Sequence, residues 1–201
     1  MHIVCSDLEG ILVPEIWIGV SKETGIDELK LTTRDISDYD ILMKMRIGIL
    51  KDKGLKLKDI QKVISGLRPL PGAMEFLHWL RSQMQVVIVS DTFTEFAGPF
   101  MKQLSYPTIF CHNLITDNSG TITGYKLRQP DSKKMVAEAL QKLNYNVIAI
   151  GDSYNDLSML RQADKGILFN PPANIAASNS DLKIVKSYET LKSEIERMIA
   201  L

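Results

Sequence analysis

Cysteine is scarce in this chain. Its two cysteines, Cys5 and Cys111, form neither a CxxC pair nor a metal-ligand spacing with the three histidines. This predicts an intracellular chain with reduced, buried thiols and no zinc site. Long apolar runs are also missing. The cleanest stretches, such as Val86-Val87-Ile88-Val89, are strand-length and far below the roughly 18 residues a membrane helix needs. The segment Met1 to Asp7 has no basic leader and reaches an acid too soon for a signal peptide, so the cytoplasm is the expected compartment. Neither sign of charge is in surplus: Lys plus Arg is 24 and Asp plus Glu is 24. That argues against nucleic-acid and anionic-membrane partners, whose affinity comes mainly from excess positive charge. Eight prolines and twelve glycines are too few for a collagen-like or linker-rich chain. What remains, 201 residues with 45% apolar and 24% charged, is an ordinary globular composition sized for one domain carrying a smaller insertion. Function must then come from a local site.

Three short apolar runs share one design. Ile3-Val4-Cys5 ends at Ser6-Asp7, Val86 to Val89 ends at Ser90-Asp91, and Val147 to Ile150 ends at Gly151-Asp152. Apolar runs without alternation suit strands covered on both faces, as in a parallel sheet. Further strands are predicted at Gly166–Phe169 and Leu182–Val185. Helical stripes lie between them: Ala73, Phe76, Leu77, Leu80 and Met84 after the Pro71-Gly72 start, then Met135, Ala139, Leu140 and Leu143, then Leu157, Leu160 and Ala163. Ser187 is a predicted N-cap for a last helix facing inward with Leu191, Ile195, Met198 and Ile199. The fold class is therefore α/β, a Rossmann-like doubly wound parallel sheet whose acidic strand ends converge on one crevice.

Residues 14–70 break the alternation. Helix follows helix there, with Leu57, Ile60, Val63, Ile64 and Leu67 on one face and Leu42, Met45 and Ile49 on another. An insertion directly after the first strand lies over that strand's carboxyl end, so 14–70 is read as a helical cap, with 1–13 and 71–201 as core. Asp117-Asn118-Ser119-Gly120 followed by alternating Thr121 to Tyr125 predicts a hairpin with a polar turn. The lysines at 51, 53, 56, 58 and 62 read as the solvated face of cap helices.

Asp7-Leu8-Glu9-Gly10 sets two carboxylates just past a strand, suited to attack on a phosphoryl group by one and protonation of the leaving oxygen by the other. Alone, the pattern reads equally well as an acidic turn. Gly151-Asp152-Ser153-Tyr154-Asn155-Asp156 is more specific, because Asp152 and Asp156 flank a strand-to-helix turn and offer hard oxygens for Mg²⁺; the competing reading is acids at a helix start. Ser90 can donate to a phosphoryl oxygen and Lys133 can supply positive charge, with Lys134 competing for that role.

Together and in this order, these pieces resemble the haloacid dehalogenase superfamily of phosphatases and phosphotransferases, and the helical insertion resembles its type-1 cap. Glu15, Arg46 and Leu70-Pro71-Gly72-Ala73 are similar to the phosphoserine phosphatase group. Asp7-Leu8-Glu9-Gly10, Val13 to Trp17, Ser90 to Phe93 and Gly151 to Asp156 are similar to its bacterial bifunctional phosphoserine phosphatase/homoserine phosphotransferase members. The resemblance implies Mg²⁺-dependent transfer through an aspartyl phosphate on Asp7, with Glu9 as acid and base. It implies metal ligands at Asp7, the Glu9 carbonyl and Asp152, with Asp156 behind them. Substrate would be held by Glu15, Arg46, Ser90, Asp91, Lys133 and Asn155, with Trp17 mainly as cap core and Gly10 and Pro71-Gly72 as hinges. Glu9 departs from the superfamily's usual Asp, and its longer stem is expected to favour an alcohol acceptor over water. The expected partners are phosphoserine, with water or homoserine as acceptor, and a second copy in a homodimer. Competing expectations are a phosphatase for another small phosphomonoester and a non-catalytic sensor on the same scaffold.

Overall fold

The computed structural model describes residues 1–33, 35–36 and 38–200. Seven strands are present among them: β1 (His2–Ser6), β2 (Gln85–Phe93), β3 (Thr108–Thr116), β4 (Ile122–Lys126), β5 (Asn146–Gly151), β6 (Lys165–Phe169) and β7 (Lys183–Val185). They form one sheet in the order β4-β3-β2-β1-β5-β6-β7, parallel except for the β3–β4 hairpin. β1 lies between β2 and β5, with Ser6 opposite both Ile88 and Ile150. The chain builds outward from β1 on one side and then crosses back to the other, so the three acidic strand ends meet where its direction reverses.

The non-alternating runs are explained by burial on both faces. Val4, Ile88, Ile148, Ile150 and Ile167 pack into one apolar cluster, and their neighbours Ile3, Cys5, Val87, Val147 and Ala149 pack into a second. On the first face lie α4 (Ala73–Gln83) and α9 (Tyr188–Ile199); on the second lie α6 (Ser132–Lys142), α7 (Leu157–Gln162) and α8 (Ala173–Ser178). The Ser187 side chain accepts from the Thr190 N–H and caps α9 as expected. The predicted hairpin forms, with the Asp117 carboxylate accepting from the Ser119 and Thr121 N–H groups in its turn.

Between β1 and β2 the chain forms α1 (Ile16–Thr24), α2 (Tyr39–Asp52) and α3 (Leu57–Gly66), with a 3-10 turn at Asp27–Lys30. Ile16, Val20, Met43, Leu50, Ile60 and Ile64 join the first core cluster. The lysines at 51, 53, 56, 58 and 62 are exposed, as read from the sequence. The two connectors of this insertion are tied together, because the Leu70 N–H donates to the Leu12 carbonyl at 2.9 Å. Tyr188 of α9 stacks between Phe76 and Phe169 and donates its hydroxyl to the Ile11 carbonyl at 2.6 Å.

Three expectations need correction. The inward stripe of α6 is not Met135, Ala139, Leu140 and Leu143, since Met135 is 39% and Leu143 is 68% exposed. The buried face is Ser132, Lys133, Val136 and Ala137, one position round the helix, because Lys133 points inward. In α2 the buried residues are likewise Leu42, Met43, Arg46 and Leu50, with Met45 and Ile49 only partly covered. β2 also does not stop at Ser90; it runs on to Phe93 through an irregularity between Val89 and Phe93 that releases residues 90–92 from regular pairing. α5 (Thr94–Met101), with Pro99 inside it, and α8 carry too little periodic pattern to be read in advance.

Gly166 of β6 lies directly under the Leu160 carbonyl of α7, where an added Cβ would overlap backbone that cannot give way. Gly166→Ala is expected to destabilise the fold by about 2–3 kcal/mol, to be checked by urea denaturation.

Candidate active site

Asp7 leaves β1 into a compact loop in which the Leu12 and Val13 N–H groups donate to the Leu8 carbonyl, and Leu8, Ile11, Leu12 and Val13 are buried. These apolar anchors fix the loop, and the Asp7 carboxylate accepts from its neighbour's Leu8 N–H at 2.7 Å. Lys133 reaches across from α6, its Nζ 3.0 Å from Asp7 Oδ1, 2.7 Å from Asp156 Oδ1 and 3.7 Å from Asp91 Oδ2. Lys133 is 2% exposed, and Lys134 does not share this burial, so Lys133 is the lysine of the site.

Asp156 is a holder rather than a free donor of ligand atoms. Its Oδ2 accepts from the Asp152 and Ser153 N–H groups, both at 3.0 Å, and its Oδ1 accepts from Lys133. Asp7, Asp152 and Asp156 nevertheless bring one carboxylate oxygen each within 4.8 Å of one another. With Asp91, three carboxylates contact the one ammonium, and Asp152 adds a fourth to the cluster. Burial and the Asp156 charge raise the Asp7 carboxyl well above its ordinary value, Lys133 opposes the rise, and Asp152 and Asp91 add to it. Burial disfavours the Lys133 ammonium, yet Asp156, Asp7 and Asp91 outweigh burial and hold its pKa well above the usual lysine value. A divalent cation between Asp7 and Asp152 fits this excess of negative charge and its hard oxygen donors.

The cluster floors a narrow cavity of about 90 Å³ walled by Glu9, Glu15, Trp17, Arg46 and Ser90 among others. The Glu9 Oε2 accepts from the Ile16 N–H at 2.8 Å, at the start of α1. Burial, followed by the Glu15 charge, pushes Glu9 up to about 8 against the Ile16 N–H, Arg46 and Lys133, so it holds a proton at neutral pH. Arg46 is 5% exposed, its guanidinium 4.5 Å above the Trp17 ring. One terminal nitrogen donates to the Leu31 carbonyl at 2.7 Å, and Nε has no partner. Burial lowers Arg46 to about 10, with Glu9, Tyr39 and Glu15 opposing, so it remains a cation at neutral pH. Trp17 is thus both core and cavity wall.

Ser90 is buried and its Oγ accepts from the Thr92 N–H at 3.2 Å, leaving its hydrogen to donate. Asn155 is exposed and its amide donates to Asp91 Oδ2 at 2.7 Å. The Asp91 carbonyl accepts from the Tyr39 hydroxyl at 3.1 Å, which joins α2 to the end of β2. Of the residues singled out in the sequence, Asp7, Glu9, Glu15, Trp17, Arg46, Ser90, Asp91, Lys133, Asp152 and Asn155 line this cavity, whereas Asp156, Gly10 and Lys134 do not. Tyr39, Leu42 and Thr92 also line it and were not anticipated, because an isolated tyrosine, leucine or threonine carries no positional signal.

Gly10 adopts φ +76°, and a Cβ there would overlap the Asp152 carboxylate. Gly10→Ala is expected to weaken divalent-cation binding at least about tenfold by displacing Asp152, with the secondary structure retained; calorimetric titration with Mg²⁺ and circular dichroism check the two halves.

Residues 21–164 match the haloacid dehalogenase-like hydrolase family. The chain is 56% identical over 194 residues to phosphoserine phosphatase ThrH of Pseudomonas aeruginosa, covering 96% of this chain and 95% of that protein. It is 54% identical to a phosphoserine phosphatase of Pseudomonas syringae, covering 96% of this chain and 82% of that one. In fold it is similar to an apo phosphoserine phosphatase crystal structure, with TM-score 0.77, 24% identity and coverage of 95% of this chain and 98% of that chain. The alternating sheet, the acidic strand ends and these likenesses lead to one assignment: the chain belongs to the haloacid dehalogenase-like hydrolases, among relatives that are phosphoserine phosphatases.

Proposed function

We propose that this protein hydrolyses O-phospho-L-serine through an aspartyl phosphate on Asp7 and can pass the phosphoryl group to homoserine as well as to water. The observation that carries the reading is the Asp7 carboxylate, 3.0 Å from a buried lysine, on the floor of a cavity whose wall holds a buried arginine with an unpartnered Nε. Names of the relatives support the substrate.

An Asp7 oxygen attacks phosphorus, and the bond from phosphorus to the serine oxygen breaks as Glu9 gives that oxygen its proton. Water or the homoserine hydroxyl then loses a proton to Glu9 and attacks phosphorus, breaking the acyl-phosphate bond and regenerating both carboxyl groups. Lys133 and Ser90 face the phosphoryl oxygens and offset their charge, the largest contribution in chemistry of this kind. Asp7, Asp152 and the Glu9 carbonyl would hold Mg²⁺, which when bound supplies further positive charge beside those oxygens. Arg46 offers parallel donors to the substrate carboxylate and Glu15 a counter-charge to its ammonium. Residues 14–70 act as a cap over 1–13 and 71–201, excluding bulk water from the acyl phosphate.

Asp7→Asn is expected to abolish phosphate release from phosphoserine with the fold preserved, measured with and without homoserine. Turnover retained in that variant sinks the proposal. Arg46→Lys is expected to raise KM for phosphoserine about 10- to 100-fold, the effect of losing a charge-assisted hydrogen bond, and to affect phosphoethanolamine, which lacks a carboxylate, far less. Glu9→Asp is expected to lower the ratio of phosphohomoserine to free phosphate, read by ³¹P NMR, because the shorter stem no longer reaches the Ile16 N–H.

A further inference from the structure

Asp91 is a partition. It lines the narrow cavity above Asp7 and also an adjoining cavity of about 690 Å³, which Lys133, Tyr39 and Asn155 share with it. Its carboxylate sits 3.7 Å from the Lys133 ammonium and accepts from Asn155. Left alone, a carboxylate facing a large open space would turn toward solvent and take part of the lysine's field with it. One residue opposes that motion from behind. His112 of β3 is 2% exposed and lines only the larger cavity, and its Nε2 lies 3.5 Å from Asp91 Oδ1. The Arg128 N–H donates to Nδ1 at 3.1 Å, which leaves the ring hydrogen on Nε2, the ring nitrogen beside Asp91. The His112 carbonyl accepts from the Thr94 hydroxyl at 3.1 Å, anchoring the backbone that carries the ring. Burial alone would raise the Asp91 carboxyl, but Lys133, His112 and Asn155 together hold it below its ordinary range, so it remains an anion.

We infer that His112 is a positioning residue of the reaction: it touches no reacting group, and acts by locking Asp91 so that Asp91 holds Lys133 over the phosphoryl site. The inference rests on the phosphoryl-transfer reading above but not on the identity of the substrate, because Lys133 faces phosphorus rather than the amino-acid end.

The test is a double-mutant cycle in the full-length, Mg²⁺-supplied enzyme. His112→Asn keeps an acceptor near the Arg128 N–H but falls short of Asp91, whereas His112→Gln restores an N–H at the reach of Nε2. His112→Asn is expected to lower kcat/KM about tenfold in the native background and by much less in an Asp91→Asn background, and His112→Gln is expected to recover most of the loss. Equal losses in the two backgrounds, or no loss in the native one, overturn the inference. Kinetics are read on phosphoserine and on p-nitrophenyl phosphate. Coupling on both is the expected result, and coupling on phosphoserine alone overturns action through Lys133. Native enzyme that turns over only the aryl phosphate refutes the substrate reading and leaves this cycle intact. Should variants at 112 fail to fold, ¹⁵N-histidine spectra of the native and Asp91→Asn proteins decide: a shifted Nε2 resonance supports the contact, and an unchanged one removes it.

Discussion

A single ammonium group sealed inside the protein sets the terms for everything near it. Lys133 is 2% exposed and meets Asp7, Asp156 and Asp91, each delivered by a different strand end or turn. A buried cation without partners costs several kcal/mol, so bringing those three elements together offsets a cost that would otherwise weigh against the fold. The strand order does this by seating β1 between β2 and β5. The site is therefore not an ornament on a finished scaffold; the pairing of its charges and the assembly of the sheet are one problem. The carboxylates outnumber the lysine, and that imbalance suits the floor of the cavity to a cation.

Much of this was legible in the chain. Ile3 to Cys5, Val86 to Val89 and Val147 to Ile150 announce strands because a parallel sheet buried on both faces leaves no polar alternation to blur them. Their acidic ends announce the site because an acid directly after such a strand has one place to go. The two helix errors have a common cause. Hydropathy treats a charged residue as outward, yet Lys133 on α6 and Arg46 on α2 both face inward. Each moved the true buried stripe round its helix relative to the one read from apolar residues alone, and in both helices the displaced charge lines the cavity. A charged position flanked by buried neighbours at three and four residues was the available signal.

Other features could not be read. His112 lies on a strand whose pairing with β2 resumes only after the irregularity at residues 90–92, so its approach to Asp91 depends on backbone shape rather than on residue type. α5 holds an internal proline and α8 is six residues long, and neither supplies a periodic pattern. The Tyr39 bond to Asp91 joins positions 52 residues apart across the insertion and the core. Contacts of this kind belong to the tertiary arrangement and leave no local mark.

Tyr188 gives the architecture an order in time. Its hydroxyl holds the Ile11 carbonyl, in the loop that carries Asp7, while its ring is clasped by Phe76 and Phe169. α9 follows every other helix and strand in the chain. During synthesis, then, the first strand and the loop after it emerge long before Tyr188, and that loop lacks this anchor until α9 has docked.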